Sequence, residues 1–265
     1  MGASHPAPEA PLRDVRVAPI LPRTEAEARE QLAACYRLVA HFGMDDLIYT
    51  HASCRVPGEP DAFLINPFGL MFREITPANL VKVGWDGRAL APSDWPANVA
   101  GFVIHGAVLR ARPDVQCVIH THTRAGVALS CLEEGLLPIS QFAIEFDGRV
   151  GSHDYEGLAL RLDEQARLAH SLGPSHVALI LRNHGLLAVG ASVPAAFYLA
   201  YYLEQSARVQ MDVLATNRPF VTPPAEVRRA SLAEYTSSFD PPAAGARMWP
   251  SLLRLLDSAQ PGWRG

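Results

Sequence analysis

The chain has 265 residues, 49% of them hydrophobic and 19% charged, which is enough apolar material for one large domain or two small ones. A formal net charge of −4 without a clustered basic stretch excludes the electrostatic footprint of a nucleic-acid or anionic-membrane binder. No run approaches the roughly 18 apolar residues of a spanning helix, and the N-terminus lacks the apolar core of a secretory signal. Cys35, Cys54, Cys117 and Cys131 form no C-x-x-C pair, so a reducing cytoplasm is the expected compartment.

Residues 1–22 read as a mobile, Pro/Ala-rich leader. Thr24 to Phe42 reads as a helix, with Thr24 as cap, Glu25 and Glu27 in the first turn and Gly43 as terminator. Short β-like runs follow at Leu47–Tyr49, Ser53–Val56, Ala62–Asn66 and Val81–Val83, the last leading into a turn at Trp85–Asp86–Gly87. Asn98 to Ala111 is helical and stops before Pro113. Gln116–Thr121 is a strand, Thr123–Leu132 a helix and Pro138–Ile144 an extended piece. Tyr155–Ser171 reads as a polar-faced helix and His176–Leu181 as a buried strand. Asn183–His184–Gly185 is a turn leading into Leu186–Val189, and Val193–Thr216 is a long helix. From Pro223 the chain is Pro/Ala-rich, with one short amphipathic helix at Trp249–Leu256. The expected organisation is a leader (1–22), a domain (23–220) and a C-terminal extension (221–265). Strands interleaved with covering helices predict a layered α/β domain.

His120-Thr121-His122 ends an apolar strand, and alternate strand residues share a face, so both imidazoles can reach one ion. Alone, such a pair describes two hydrogen-bonded surface histidines equally well. A third ligand must come from elsewhere, and His184, breaking off the second apolar strand before Gly185, is the candidate. His105, on the preceding helix, is a fourth ligand, a supporting group or an ordinary helix histidine. His51 and His153 lie in polar stretches near strand ends; His5, His41, His170 and His176 read as surface or capping residues.

Around these residues the sequence resembles the class II aldolase/adducin family. The resemblance runs from about Thr24 to Gln210 and is carried by YRLVAHFGMDD (Tyr36–Asp46), FLINPFG (Phe63–Gly69), GFVIHGAVLRARPD (Gly101–Asp114), HTHTRAGVALS (His120–Ser130), GLLPISQ (Gly135–Gln141) and LRNHGLLAVG (Leu181–Gly190). It implies a three-layer α/β/α fold around a mainly antiparallel sheet, and tetramers with active sites at subunit interfaces. It also implies one divalent ion per chain, zinc first and iron, manganese or cobalt as alternatives, on His120, His122 and His184. In the sugar-phosphate aldolases that ion polarises a carbonyl and stabilises an enediolate.

The departures narrow the substrate. The family's Ser-Ser-Glu segment, whose glutamate is the general acid/base, falls on Val99-Ala100-Gly101, with neither hydroxyl nor carboxylate. Its phosphate loops fall on Thr50-His51 and Phe68-Gly69, where Phe68 and His51 make a less anionic, partly aromatic pocket, and Phe68, Gly69 and Gly101 are the expected substrate-pocket residues. Asp94 lies too early in the chain to replace the glutamate; Glu145, Asp147, Tyr155 and Glu156 are further proton-transfer candidates that also read as structural.

The first expectation is therefore a metal-dependent lyase that cleaves or decarboxylates a small, non-phosphorylated hydroxy- or keto-acid, with His51 or His105 moving the proton. The second is a non-haem iron oxygenase acting on aromatic keto-acids, with Phe68 and Phe102 lining its pocket. The third is a non-catalytic, adducin-like binding domain.

Overall fold

Thr24 starts the first helix, its hydroxyl accepting from the Glu27 amide at 3.2 Å. The helix, α1, runs over Glu25–His41 and ends at Phe42, before Gly43 in the left-handed region (φ 64°). This computed structural model describes residues 17–238 and 240–265. Most of the expected leader lies outside the described residues, and 17–22 carry no regular structure.

Seven strands follow: β1 (His51–Val56), β2 (Glu59–Ile65), β3 (Val81–Gly84), β4 (Cys117–Thr121), β5 (Val150–His153), β6 (Ala178–Leu181) and β7 (Gly185–Gly190). They form one sheet in the order β3-β2-β1-β4-β7-β6-β5. Every neighbouring pair is antiparallel except β5–β6, which the helical crossover α5 (Glu164–Leu172) makes parallel. The mainly antiparallel sheet of the expected fold is present.

Alternation along the strands sends side chains to two separate apolar clusters. Ala52, Cys54, Cys117, Ile119, Ile180 and Ala188 face a layer made by α1, α3 (Arg124–Ser130), α6 (Val193–Ala215) and α8 (Pro241–Ala259). Phe63, Ile65, Val118, Leu179 and Val189 face α2 (Val99–Ala111) and α5. α2 is buried from Gly101 to Leu109, which explains its apolar character on all sides. The side of β1 and β4 that faces α2 also carries His51, Ser53, Arg55 and His120, so a polar strip runs through this second layer.

Several expected elements differ. Leu47–Tyr49 is a turn, not a strand: Leu47 and Thr50 have positive φ (50° and 65°), and pairing stops at a single Asp46–Tyr49 bridge. Pro138–Ile144 is not extended throughout, because Ser140 accepts from the Ala143 amide at 3.2 Å and starts α4 (Gln141–Ile144). The helix predicted from Tyr155 begins only at Glu164, since Gly157 and Ala159 hold positive φ (114° and 51°). β5, four residues long, had no periodicity to reveal it.

The tail holds two helices, α7 (Ala225–Ser238) and α8, where one short helix is expected. Pro241 and Pro242 open α8 at positions where a missing amide proton is harmless. Trp249, Leu256 and Trp263 are buried in the same cluster as α1 and α6. Trp249→Ala should therefore lower unfolding stability by about 3–5 kcal/mol, read as a drop in the urea midpoint by circular dichroism; an unchanged midpoint would mean the tail does not hold the core.

Candidate metal centre

β4 delivers His120 to the sheet's α2 side, and the chain leaving that strand delivers His122. The turn between β6 and β7 delivers His184: Asn183 takes the left-handed conformation (φ 55°), and the His184 amide donates to Ser130 Oγ at 3.1 Å. The three rings converge. Nε2 of His120 lies 2.8 Å from Nε2 of His122 and 3.3 Å from that of His184, and the last two are 2.9 Å apart. Among the described residues this is the one group of three or more His, Cys, Asp or Glu side chains arranged to hold an ion.

The outer nitrogens define the tautomers. His120 donates from Nδ1 to the Leu186 carbonyl at 2.9 Å, and His122 from Nδ1 to Asp46 Oδ2 at 3.2 Å. Their Nε2 atoms are then lone pairs facing each other, an arrangement a cation satisfies and a shared proton does not. Three nitrogens bound tetrahedrally at about 2.0–2.1 Å from zinc would themselves stand roughly 3.3 Å apart, so the donor set fits a divalent ion. Burial is the first cause that depresses all three pKa values: His120 well below the usual range, His184 to about 4, and His122 less, because Asp46 opposes the shift. All three are neutral at pH 7, the form that ligates metal.

Gly185 is required by space rather than by turn geometry. A Cβ there would stand 2.3 Å from the Thr121 carbonyl oxygen and 3.2 Å from His122 Cδ2. The sequence expectation of a turn glycine is thus corrected, since the left-handed residue is Asn183.

His51 and His105 form the layer behind the cluster. His51 is the first residue of β1, in register with His120, and their rings lie 4.9 Å apart. His51 Nδ1 lies 2.8 Å from His105 Nε2, and His105 Nδ1 lies 2.5 Å from Ser53 Oγ. A buried hydrogen-bonded chain, Ser53–His105–His51, therefore ends against a member of the cluster, and burial holds both histidines neutral. His105 does not join the three converging nitrogens; it supports His51. Gly101 gives His51 its room: a Cβ there would lie 2.7 Å from Ile65 Cδ1 and 3.0 Å from His51 Cγ.

Phe68 and Gly69 lie further out. Phe68 packs against Tyr49 (6.3 Å), in the turn that also carries Asp46, and Gly69 (φ 113°) faces Trp95. Phe102 is core instead, stacked on Phe63 at 6.4 Å, which removes it from the aromatic pocket. His153 ends β5 buried, bonded to Ser171 Oγ at 3.0 Å, and with Tyr155 and Glu156 borders a narrow crevice beside His184. Glu156 is held by Arg167 and Asp147 by Arg228, while Glu145 lies in another part of the fold. Sequence reasoning missed Asp46, Ser53 and Ser130. Asp46, directly after the helix-terminating Gly43-Met44-Asp45, carried no periodic signal.

A family profile described as the class II aldolase and adducin N-terminal domain matches residues 30–211. A Pseudomonas aeruginosa protein, whose name assigns it provisionally to the class 2 aldolases, is 46% identical over 243 residues, covering 91% of this chain and 93% of its own. A solved aldolase II superfamily protein from Pseudomonas syringae superposes with a TM-score of 0.86 at 45% identity, covering 93% of this chain and 98% of that one. An L-fuculose 1-phosphate aldolase from Glaciozyma antarctica superposes with a TM-score of 0.78 at 27% identity, covering 88% and 91%.

Asp46→Ala should weaken zinc binding by about 10–100-fold without unfolding the chain, measured by competition with a chromophoric chelator; unchanged affinity would remove Asp46 from the centre. The buried histidines also set the acid stability of the metal-free protein. Their folded pKa values lie below the unfolded value of 6.5, so the unfolded chain takes up protons first as pH falls. Stability should be fully present above pH 6.5 and decline towards pH 4, the value of His184, in a series of thermal melts.

Proposed function

The chain belongs to the class II aldolase and adducin family, and from that premise we propose that it is a metal-dependent lyase acting on a small, non-phosphorylated hydroxy- or keto-acid. The observation that carries the reading is the imidazole chain Ser53–His105–His51 beside His120, in the space that Gly101 leaves open. His120, His122 and His184 are the proposed ligands of one divalent ion, zinc first, and Asp46 orients His122. When bound, the ion supplies a Lewis acid for the substrate's adjacent oxygens and for the negative charge that develops on them.

The chain's own residues do the rest. His51 is neutral and fixed by His105, so it is ready to accept a proton. In an aldol cleavage it takes the proton of the hydroxyl as the carbon–carbon bond breaks and one carbonyl product leaves. It then returns that proton to the carbon that kept the bonding electrons. In a decarboxylation the carbon that loses carbon dioxide keeps the bonding electrons and takes up a proton that His51 passes on from solvent. His105 and Ser53 hold the ring and share the proton load along the chain. Phe68 and Gly69 form the outer wall, beside Tyr49 and Trp95.

The same reading places the protein in the cytoplasm, where its free thiols Cys35, Cys54 and Cys117 stay reduced in the core, and takes the tetramer implied by the family as its assembly. Among the described residues no helix is long and apolar enough to cross a membrane.

Metal analysis of protein purified without added metal should find one zinc per chain, absent from His122→Ala. Loaded protein should turn over at least one member of a panel of small hydroxy- and keto-acids, and His51→Gln should keep the metal yet lose about 10²–10⁴-fold in kcat. Stoichiometric iron with oxygen uptake on an aromatic keto-acid would replace the lyase with an oxygenase, and full activity in His51→Gln would remove His51 from the reaction.

A further inference from the structure

A second recess lies where α4, α6, α7 and α8 meet, and shares no residue with the histidine cluster. It encloses about 750 Å³, within the roughly 300–1,000 Å³ of small-ligand sites. Phe142, Tyr198, Tyr202, Tyr235 and Met248 form a largely apolar, ring-rich wall around Glu145. The rings are mutually packed, with Tyr198 4.8 Å and Phe142 5.4 Å from Tyr202.

Glu145 is only 1% exposed. Tyr198 donates its hydroxyl to Oε2 at 3.0 Å, but Oε1 has no hydrogen-bond partner. A buried carboxylate oxygen left unpaired opposes folding, so its retention beside an open recess needs a reason that packing does not provide. The lyase reading does not use it.

We propose that this recess binds a small organic ammonium ion, a primary amine on a compact aromatic or aliphatic body, whose N–H groups donate to Glu145 Oε1 while its charge lies against the tyrosine rings. Three features favour this class. The open acceptor demands a donor, and a charged donor makes the stronger hydrogen bond. Aromatic faces attract cations, most strongly where water is displaced. A second carboxylate, Glu234, also lines the recess, so two carboxylates stand against the one guanidinium of Arg247. Met248 and Phe142 take up the apolar body.

The groups that face Glu145 are known from every packed element. α6 presents Tyr198 and Tyr202, α7 presents Glu234 and Tyr235, α8 presents Arg247, and Arg149 lies behind, donating to the Glu145 carbonyl at 3.2 Å. The three tyrosines stay uncharged, because burial raises each of them. No histidine lines the recess, so a change in binding near neutral pH reports Glu145, which burial raises to about 7. The carboxylate is ionised above that value, so an ammonium ligand should bind more tightly as pH rises through it.

Tryptamine is a suitable probe, with N-acetyltryptamine as its neutral counterpart and indole-3-propionate as the acid. Calorimetry on the metal-free protein should show one tryptamine per chain, with affinity rising several-fold between about pH 6 and 8, where the amine stays charged. Glu145→Gln and N-acetyltryptamine should each weaken binding roughly tenfold or more, indole-3-propionate should not bind, and His122→Ala should bind tryptamine as the wild type does. The wild-type pH profile keeps the test decisive if the glutamine variant fails to fold. No tryptamine binding at millimolar concentration, a flat pH profile, or equal affinity for the amide would overturn the proposal. None of these outcomes bears on the histidine centre, so the two readings stand or fall separately.

Discussion

β7 lies so close to the end of β4 that position 185 has no room for a side chain: a Cβ would sit 2.3 Å from the Thr121 carbonyl oxygen. The rest of the centre depends on this contact. It brings the His184 turn alongside the chain that carries His120 and His122, and it puts the Leu186 carbonyl within 2.9 Å of His120 Nδ1. One strand pairing thus supplies both the approach of His184 and the hydrogen bond that orients His120. Ser130 completes it from the helix side, by accepting the His184 amide.

A second constraint is electrostatic. His51, His105 and His120 are buried between the sheet and α2, His122 and His184 stand half-buried at the edge of that layer, and burial holds each of the five below its usual pKa. Protonating any of them would place a positive charge in an apolar layer beside others of its kind. The strip is stable as a set of neutral rings whose outward N–H groups are used by Leu186 and Asp46, and whose inner lone pairs converge. Neutral imidazoles with converging lone pairs are the form in which histidine ligates a metal.

Position 101 of α2 is a glycine, and His51, the cross-strand neighbour of His120, projects from the sheet into the space beside it. Burial and the neighbouring His105 hold that ring neutral. The ammonium recess, by contrast, lies where α4 and α6 meet the tail helices α7 and α8, and shares no residue with this layer.

Local patterns in the chain determined much of this. The apolar strand ending in His120-Thr121-His122, the strand ending at His184, the capped helices α1 and α2, and the family motifs that join them were all legible, because strand alternation and helix caps act over a few residues. What lay beyond the sequence depended on contacts between distant segments. His51 neighbours His120 through strand register, Asp46 reaches His122 across 76 residues, and Ser53 bonds His105 across 52. Gly185 reads as a turn residue until the neighbouring strand shows that it is a contact residue. Phe102 reads as a pocket aromatic until Phe63 is found stacked on it. α7, α8 and the recess around Glu145 exist only once Trp249, Leu256 and Trp263 have found the core. Periodicity specifies which face of an element is apolar; only packing decides which other element that face meets.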